Sequence, residues 1–315
     1  MRGGPVPRSH RDNGSTLYRA ARRLHLLGWL AHAICLASVE DPLETRCGSR
    51  SHAPPPVLSR ATATNILSIW APEDTMLRRN LRRLRTWLRY RGTDRYCPVC
   101  RHSAKAFLPT GVHPRPDALC PWCRSTERDR LSALFLDQKT DLFDGVPRRV
   151  LHVAPEPCLQ SRFQRTLGAG YVTADLHRRD VMEQMDITDI KHPDASFDVI
   201  YCSHVLEHVD NDRQAMREFH RILRPGGWAI LNVPVTADQT FEDPSITDPD
   251  ERTRLFGQDD HVRRYGPDYI DRLKDVGFEV TVINASDLVQ QDEAVTLGIA
   301  AEAAGDVYHC RKHEG

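Results

Sequence analysis

Four cysteines stand in two CxxC pairs, Cys97-Pro98-Val99-Cys100 and Cys120-Pro121-Trp122-Cys123, with 19 residues between them. Two thiolates spaced by two residues can bind one ion from a tight turn, and two such knuckles complete a closed tetrahedral zinc site. A closed set of four thiolates keeps no open coordination position, so its expected role is structural. A redox CxxC would not need the second pair. His102 and His113 lie nearby and read as ordinary loop residues. A second constellation is His204-Val205-Leu206-Glu207-His208. On a helical turn, positions i, i+3 and i+4 share a face, so His204, Glu207 and His208 could converge. His204 and His208 are candidate general bases, because histidine titrates near neutral pH.

The elements that must position this second group are legible around it. Phe197 to Cys202 is a short apolar run bounded by polar residues, as expected for a strand buried on both faces of a parallel sheet. A helical run follows from Asn211 to Leu223, and Arg224-Pro225-Gly226-Gly227 is expected to stop it as a turn. Trp228 to Pro234 is again a strand. Strand, helix and strand make one βαβ unit with a right-handed crossover.

The run SFDVIYCSHVLEHV followed by LRPGGWAILNVP resembles the second half of a class I S-adenosylmethionine (SAM)-dependent methyltransferase of the type 11 kind. The resemblance covers residues 149–312 and extends upstream in a bacterial subgroup that carries a CxxC pair. It implies an α/β fold: a Rossmann-like seven-stranded methyltransferase sheet (148–313) with a small N-terminal zinc-ribbon-like appendage and linking helix (93–137). It implies SAM as cofactor, structural Zn2+, and methyl transfer to a small or sugar- or lipid-linked acceptor. The alternative is a non-catalytic zinc-ribbon adaptor, binding nucleic acid or protein on the same fold.

The resemblance also carries site residues. The first strand, Arg149 to Ala154, ends where the family has an acid and a Gly-rich loop; here His152, Ala154, Glu156 and Cys158 stand in those places. Glu156 is the candidate carboxylate for the SAM ammonium. Tyr171 to Leu176 is the second strand, and Asp175 at its end takes the role of ribose acceptor. Asp186, with Ile187, matches the acid that meets the adenine amino group. Cofactor contacts are thus expected at His152, Ala154, Glu156, Asp175, Leu176, Asp186, Ile187, Ser203 and His204. In the small-RNA 2′-O-methyltransferases and ubiquinone-pathway O-methyltransferases, an ExxEH run similar to His204–His208 binds a divalent metal. Here His204 replaces the first Glu, so pocket wall ranks first, base second and metal third. Residues 236–266 form an insert after a strand end, where α/β folds build substrate pockets. Beyond it, Pro267 to Val276 reads as helix, and Gly277 to Asn284 and Asp306 to Lys312 as strands.

Bulk properties fit two functional parts. The 315 residues carry no formal net charge, yet residues 1–130 hold 23 basic and 10 acidic side chains and residues 131–315 hold 20 and 33. Nine cysteines, four of them in the two pairs, do not make a disulfide framework and point to a reduced, cytoplasmic protein. Residues 1–75, rich in Pro, Ser and Arg, read as a poorly ordered extension. Within them Leu24 to Ala37 is apolar for 14 residues, too short to span a bilayer comfortably, and it contains two histidines unlike a signal peptide. Residues 76–92 hold an Arg-rich amphipathic helix with Leu77, Leu81, Leu84 and Leu88 on one stripe. Such a helix can lie on an anionic membrane or nucleic acid; the preferred reading is that its stripe docks on its own domain. Thr126 to Asp137 reads as an amphipathic helix that packs the ribbon onto the main domain.

Overall fold

Strands β5 (Val150–Val153), β6 (Tyr171–Asp175), β7 (Glu183–Gln184), β8 (Phe197–Ser203), β9 (Leu223–Asn232), β12 (Phe278–Ile283) and β13 (Val307–Lys312) form one sheet. Its order is β12-β13-β9-β8-β5-β6-β7. β13 is antiparallel to both neighbours, and every other pair among β5 to β9 is parallel. This is the Rossmann-like, seven-stranded α/β sheet expected from the sequence, and the order reverses between β5 and β8. In open α/β sheets that reversal opens a crevice at the strands' C-terminal ends. The structure is a computed structural model that describes residues 73–111 and 114–314. The expected extension lies outside them but for residues 73–75, and so do the apolar run 24–37 and His113. All described residues fall in one compact unit, Trp70–Gly315.

Alternating side chains split the core into two layers. On one face lie Val150, Val199, Tyr201, Trp228 and Ile230. On the other lie Leu151, Ile200, Cys202, Ala229 and Leu231, packed by Met216, Phe219 and Ile222 of the helix Asp212–Ile222. The first layer also contains Cys97, Val99, Ala104, Phe107 and Cys120. The CxxC segment is therefore not an appendage: its hairpins, β1 (Arg95–Cys97) with β2 (His102–Ala104) and β3 (Leu108–Thr110) with β4 (Arg115–Leu119), share the sheet's own core.

The helix between them, Glu127–Lys139, buries Leu131, Ser132, Ala133, Leu134, Phe135 and Leu136 without a break. It is a central helix rather than the amphipathic one expected from its sequence, since both the ribbon and the sheet cover it. Arg130 is fully buried, donating from Nε to Leu297 O (2.8 Å), from Nη1 to Ala118 O (2.9 Å) and Ser125 O (2.8 Å), and from Nη2 to Gly298 O (2.8 Å). Its guanidinium also stacks 4.2 Å from the Phe107 ring centre.

Two further expectations change. The Arg224–Gly227 turn is absorbed into β9: Leu223 already pairs with Phe197, and a register shift follows before Trp228 pairs with Val199. Pro225 keeps the residue before it out of the helical region, so the chain passes directly into an irregular strand. Gly226, at φ +75°, takes up the irregularity. The Arg-rich helix spans Glu73–Tyr90, but the described part of its stripe does not dock: Leu81, Leu84 and Leu88, with Trp87, are 45–52% exposed. The hydrogen bond from Lys105 N to Tyr90 O (2.8 Å) ties only its last residue to the hairpin. No helix among the described residues is long and apolar enough to cross a membrane.

Candidate functional site

The strands on either side of the reversal end in the same unusual way. Ala154, just after β5, has φ +48°, and His204, just after β8, has φ +57°. Non-glycine residues rarely hold this left-handed conformation, and such strain gathers at functional sites. Both are pinned by backbone bonds, Ala154 N to Ala174 O and His204 N to Asn232 O, each 2.8 Å. Each bond anchors a turn to the strand beside it.

Within β5, His152 is fully buried. Its Nε2 lies 2.7 Å from Glu156 Oε2 and its Nδ1 2.8 Å from the Tyr171 hydroxyl. An ionised carboxylate only accepts, so in the neutral ring Nε2 donates and Nδ1 accepts from Tyr171. The pair aims Glu156 from the N-cap of the helix Pro157–Leu167. Asp175 ends β6; its Oδ1 accepts from His177 N and Arg178 N, both 2.8 Å, while Oδ2 has no partner among the described residues. Arg178 reaches back to Pro155 O (2.8 Å), tying the loop after β6 to the Ala154–Glu156 turn. Leu176 is 53% exposed beside them. Ile187 and Ser203 are buried. Asp186 is exposed, and hydrogen bonds from Thr188 Oγ1 (2.7 Å) and Thr188 N (2.8 Å) depress its pKa. All of these lie on the β5–β8 end segments.

The His204–His208 stretch is a bend followed by a 3-10 turn, Leu206–His208, so its three side chains do not converge as a helical face would have them. Glu207 is 2% exposed; its Oε1 meets His204 Nδ1 at 3.2 Å and its Oε2 has no partner. Burial alone would raise its pKa, but His204's hydrogen bond and charge outweigh that and lower it. His208 turns the other way, with Nδ1 3.2 Å from Asp260 Oδ2 and its ring 4.6 Å, edge-on, from His261. One ligand atom each from Glu207, His208 and His261 lie within 4.8 Å of one another. His261 belongs to the insert, and nothing in the local sequence pattern ties it to His208.

The insert proves to be the clamp on this turn. Arg263 on β11 (Arg263–Arg264) is buried and donates to Leu206 O (2.8 Å), Val209 O and Asp210 O (2.8 Å), and to Glu242 Oε2 (2.8 Å) on β10 (Phe241–Glu242). Val262 N bonds Glu207 O at 2.9 Å. Asp212 is held by the Tyr265 hydroxyl (2.7 Å) and Arg272 (3.0 Å). A cavity of about 580 Å3 opens between the turn and the insert, lined by His204, Glu207, His208, His261, Arg128, Arg254 and Arg264 among others. Of the expected cofactor residues only His204 lines it.

On the far side, Cys97 Sγ lies 3.6 Å from Cys123 Sγ, and Cys100 Sγ 3.8 Å from Cys120 Sγ. Four sulfurs at about 2.3 Å from one ion would stand about 3.8 Å apart along a tetrahedron's edges. The residue after each knuckle, Arg101 and Arg124, has positive φ, and its N–H closes on the first cysteine's carbonyl at 2.8 and 3.0 Å. Hydrogen bonds from Cys100, Cys120, Cys123 and Ser125 pull the Cys97 thiol toward its ionised form. The four residues can hold one tetrahedral ion.

Comparison with known proteins bears on the sheet side of this site. Residues 167–231, which run from before β6 to the end of β9, match the family model described as "Methyltransferase domain". A stretch of 58 residues is 41% identical to the 27-O-demethylrifamycin SV methyltransferase of Amycolatopsis mediterranei (strain S699). That match takes in 18% of this chain and only 21% of that relative's length. Among solved structures, an S-adenosylmethionine-dependent methyltransferase from Mesorhizobium loti is 15% identical with a TM-score of 0.40, covering 53% of this chain and 91% of that one. The 1,6-didemethyltoxoflavin-N1-methyltransferase of Burkholderia thailandensis is 13% identical with a TM-score of 0.38, covering 59% and 78%.

Proposed function

We propose that the chain is a SAM-dependent methyltransferase. The observation that carries this is the unpaired Oδ2 of Asp175, at the end of β6 beside the sheet's reversal and inside the matched segment. A carboxylate there accepts both ribose hydroxyls, while its Oδ1 is already spent on fixing the turn. Glu156, oriented by His152, receives the ammonium; His152 itself, with no exposed surface, acts through Glu156. Exposed Leu176 and Asp186, with Ile187 behind, flank the adenine position. SAM supplies a methyl group already activated on a sulfonium, so the protein's share is binding, orientation and exclusion of water.

His204, an expected cofactor contact, also lines the cavity, which supports reading the cavity as the acceptor site. Arg128, Arg254 and Arg264 on its wall favour an acceptor that carries negative charge. Arg128 Nε is buried there without a partner. The four clustered cysteines support a structural zinc, since their spacing suits thiolates around one ion better than a disulfide at about 2 Å. The test is transfer of tritiated methyl from SAM into a metabolite extract. Label should enter an acidic, low-mass product, and Asp175→Asn should slow it at limiting SAM. Labelling indifferent to Asp175→Asn would sink the assignment of that residue.

A further inference from the structure

We infer that the helix Glu73–Tyr90 is a docking face for an anionic lipid bilayer, on which it lies with its leucines toward the acyl chains and its arginines among the headgroups. The inference stands apart from methyl transfer and needs neither cofactor nor acceptor. Its first support is unspent apolar surface. Nine large apolar side chains are exposed among the described residues, and four of them, Leu81, Leu84, Trp87 and Leu88, fall within one stretch of eight. Exposed apolar residues scattered singly need no explanation, but a contiguous patch marks a surface that meets something. At about 100° per residue, Leu81, Leu84 and Leu88 lie within about 60° of one another around the helix axis, so they form one stripe.

The second support is charge on the same helix. From Met76 to Arg91 the sequence holds seven arginines and no acid. Around the axis Arg85 borders one edge of the stripe, with Arg89 and Arg82 beyond it, and Trp87, then Arg83, borders the other. These four arginines are all exposed. A guanidinium keeps its charge, and its long stem lets the head reach phosphate level while the methylenes lie on apolar surface. Trp87 at the stripe's edge suits the boundary between acyl chains and headgroups. This pairing separates the candidate occupants. Nucleic acid would neutralise the arginines and leave the leucines in water. A second copy would cover the leucines and bring like charges together. An anionic bilayer takes both sets at once.

The third support is how the helix is mounted. Its C-terminal end is fixed: Arg91 N bonds Trp87 O (2.9 Å), and Lys105 N bonds Tyr90 O (2.8 Å). A Cβ added at Gly92 would come within 2.7 Å of Lys105 Cα, so the chain leaves the helix for the hairpin with no slack. From Asn80 to Arg89, by contrast, every side chain but the half-buried Thr86 is exposed. The helix is therefore held at one end and left open along its length. It has 18 residues, and it is not apolar enough to cross a membrane, so its contact with a bilayer is in the plane of the headgroups.

Flotation of the full chain with lipid vesicles is the test. The protein should float with phosphatidylcholine vesicles that contain about one-third phosphatidylserine, and its binding to phosphatidylcholine alone should be weaker by about tenfold or more. Added salt should weaken the binding to anionic vesicles, because it screens the arginines. Leu84→Glu with Leu88→Glu, and separately Arg82→Glu with Arg85→Glu, should each weaken it by about tenfold or more. All four side chains are exposed, so both variants should keep the wild-type circular dichroism and thermal transition. A full chain that does not float with anionic vesicles would overturn the inference. So would flotation that Leu84→Glu with Leu88→Glu leaves unchanged, which would give the contact to another part of the chain. Tighter binding to an oligonucleotide than to vesicles, kept by the leucine variant, would assign the arginines to nucleic acid instead. An oligomer that the leucine variant dissociates, in a chain that does not float, would assign the stripe to a second copy.

Discussion

Replacing Arg130 by Met should destabilise the whole described unit, not the ribbon alone. The methionine fills most of the volume but strips hydrogen bonds from four carbonyls: Ala118, Ser125, Leu297 and Gly298. Ser125 O keeps its bond from Cys120 N, so three acceptors lose their partner; at about 1–3 kcal/mol for each, the gross loss is about 3–9 kcal/mol. Against this, a guanidinium no longer has to be desolvated, which returns several kcal/mol. The net expectation is about 3–5 kcal/mol, the usual cost of breaking a buried charged network from one side. Gly298 offers a companion: at φ +64°, an added Cβ would meet Phe107 at 2.7 Å and Arg130 Nη2 at 2.9 Å, so Gly298→Ala should fail in the same direction. Urea unfolding followed by tryptophan fluorescence and circular dichroism measures both. One cooperative transition displaced to lower urea is expected, because the ribbon and the sheet share a core. A loss below about 1 kcal/mol, or a separate early transition of the ribbon, would refute the reasoning.

Other outcomes follow from particular side chains. Purified protein should contain one zinc per chain at the cysteine cluster, and Cys97→Ser should lower that content, as elemental analysis can show; fully folded zinc-free protein would contradict it. His309 is packed between Phe135 and Trp228 (ring centres 5.3 and 5.4 Å apart), and burial, with Arg311 adding, lowers its pKa to about 4. The unfolded chain takes up that proton near pH 6.5, so this stability is complete above pH 6.5 and is lost as pH falls from there to about 4. Wild type should lose roughly 2 kcal/mol more than His309→Phe between pH 7 and 4.5, read from urea midpoints; equal losses would contradict the assignment.

The fold was readable where local pattern and burial agree. Phe197 to Cys202 and Tyr171 to Asp175 are strands because their side chains are buried on both faces, and the apolar runs say so. Asp175 stood out because an acid ends such a strand. The CxxC pairs were legible because ligand spacing is a local property. What failed was whatever depends on long-range partners. The helix Glu127–Lys139 is buried from Asp129 to Leu136 because the hairpins before it and sheet strands far beyond it in sequence share one core around it. Arg224 to Gly227 looked like a stop, yet pairing with β8 drew it into a strand. The convergence expected of His204, Glu207 and His208 assumed a helical turn; the left-handed φ of His204 redirects the chain, and His261 takes the third place from 53 residues beyond His208.

The central claim rests on the crevice at the sheet's reversal, and calorimetric titration of the chain with SAM alone tests it most directly. One SAM should bind per chain. Asp175→Asn keeps an oxygen to hold His177 N and Arg178 N in the turn but presents an amide N–H2 where Oδ2 stood. It should weaken binding by about 1.5–3 kcal/mol, the scale of a hydrogen bond to a charged group, or about 10- to 150-fold. No heat of binding from folded wild-type protein, or an Asp175→Asn variant of unchanged affinity, would contradict the account and leave the adaptor reading in its place.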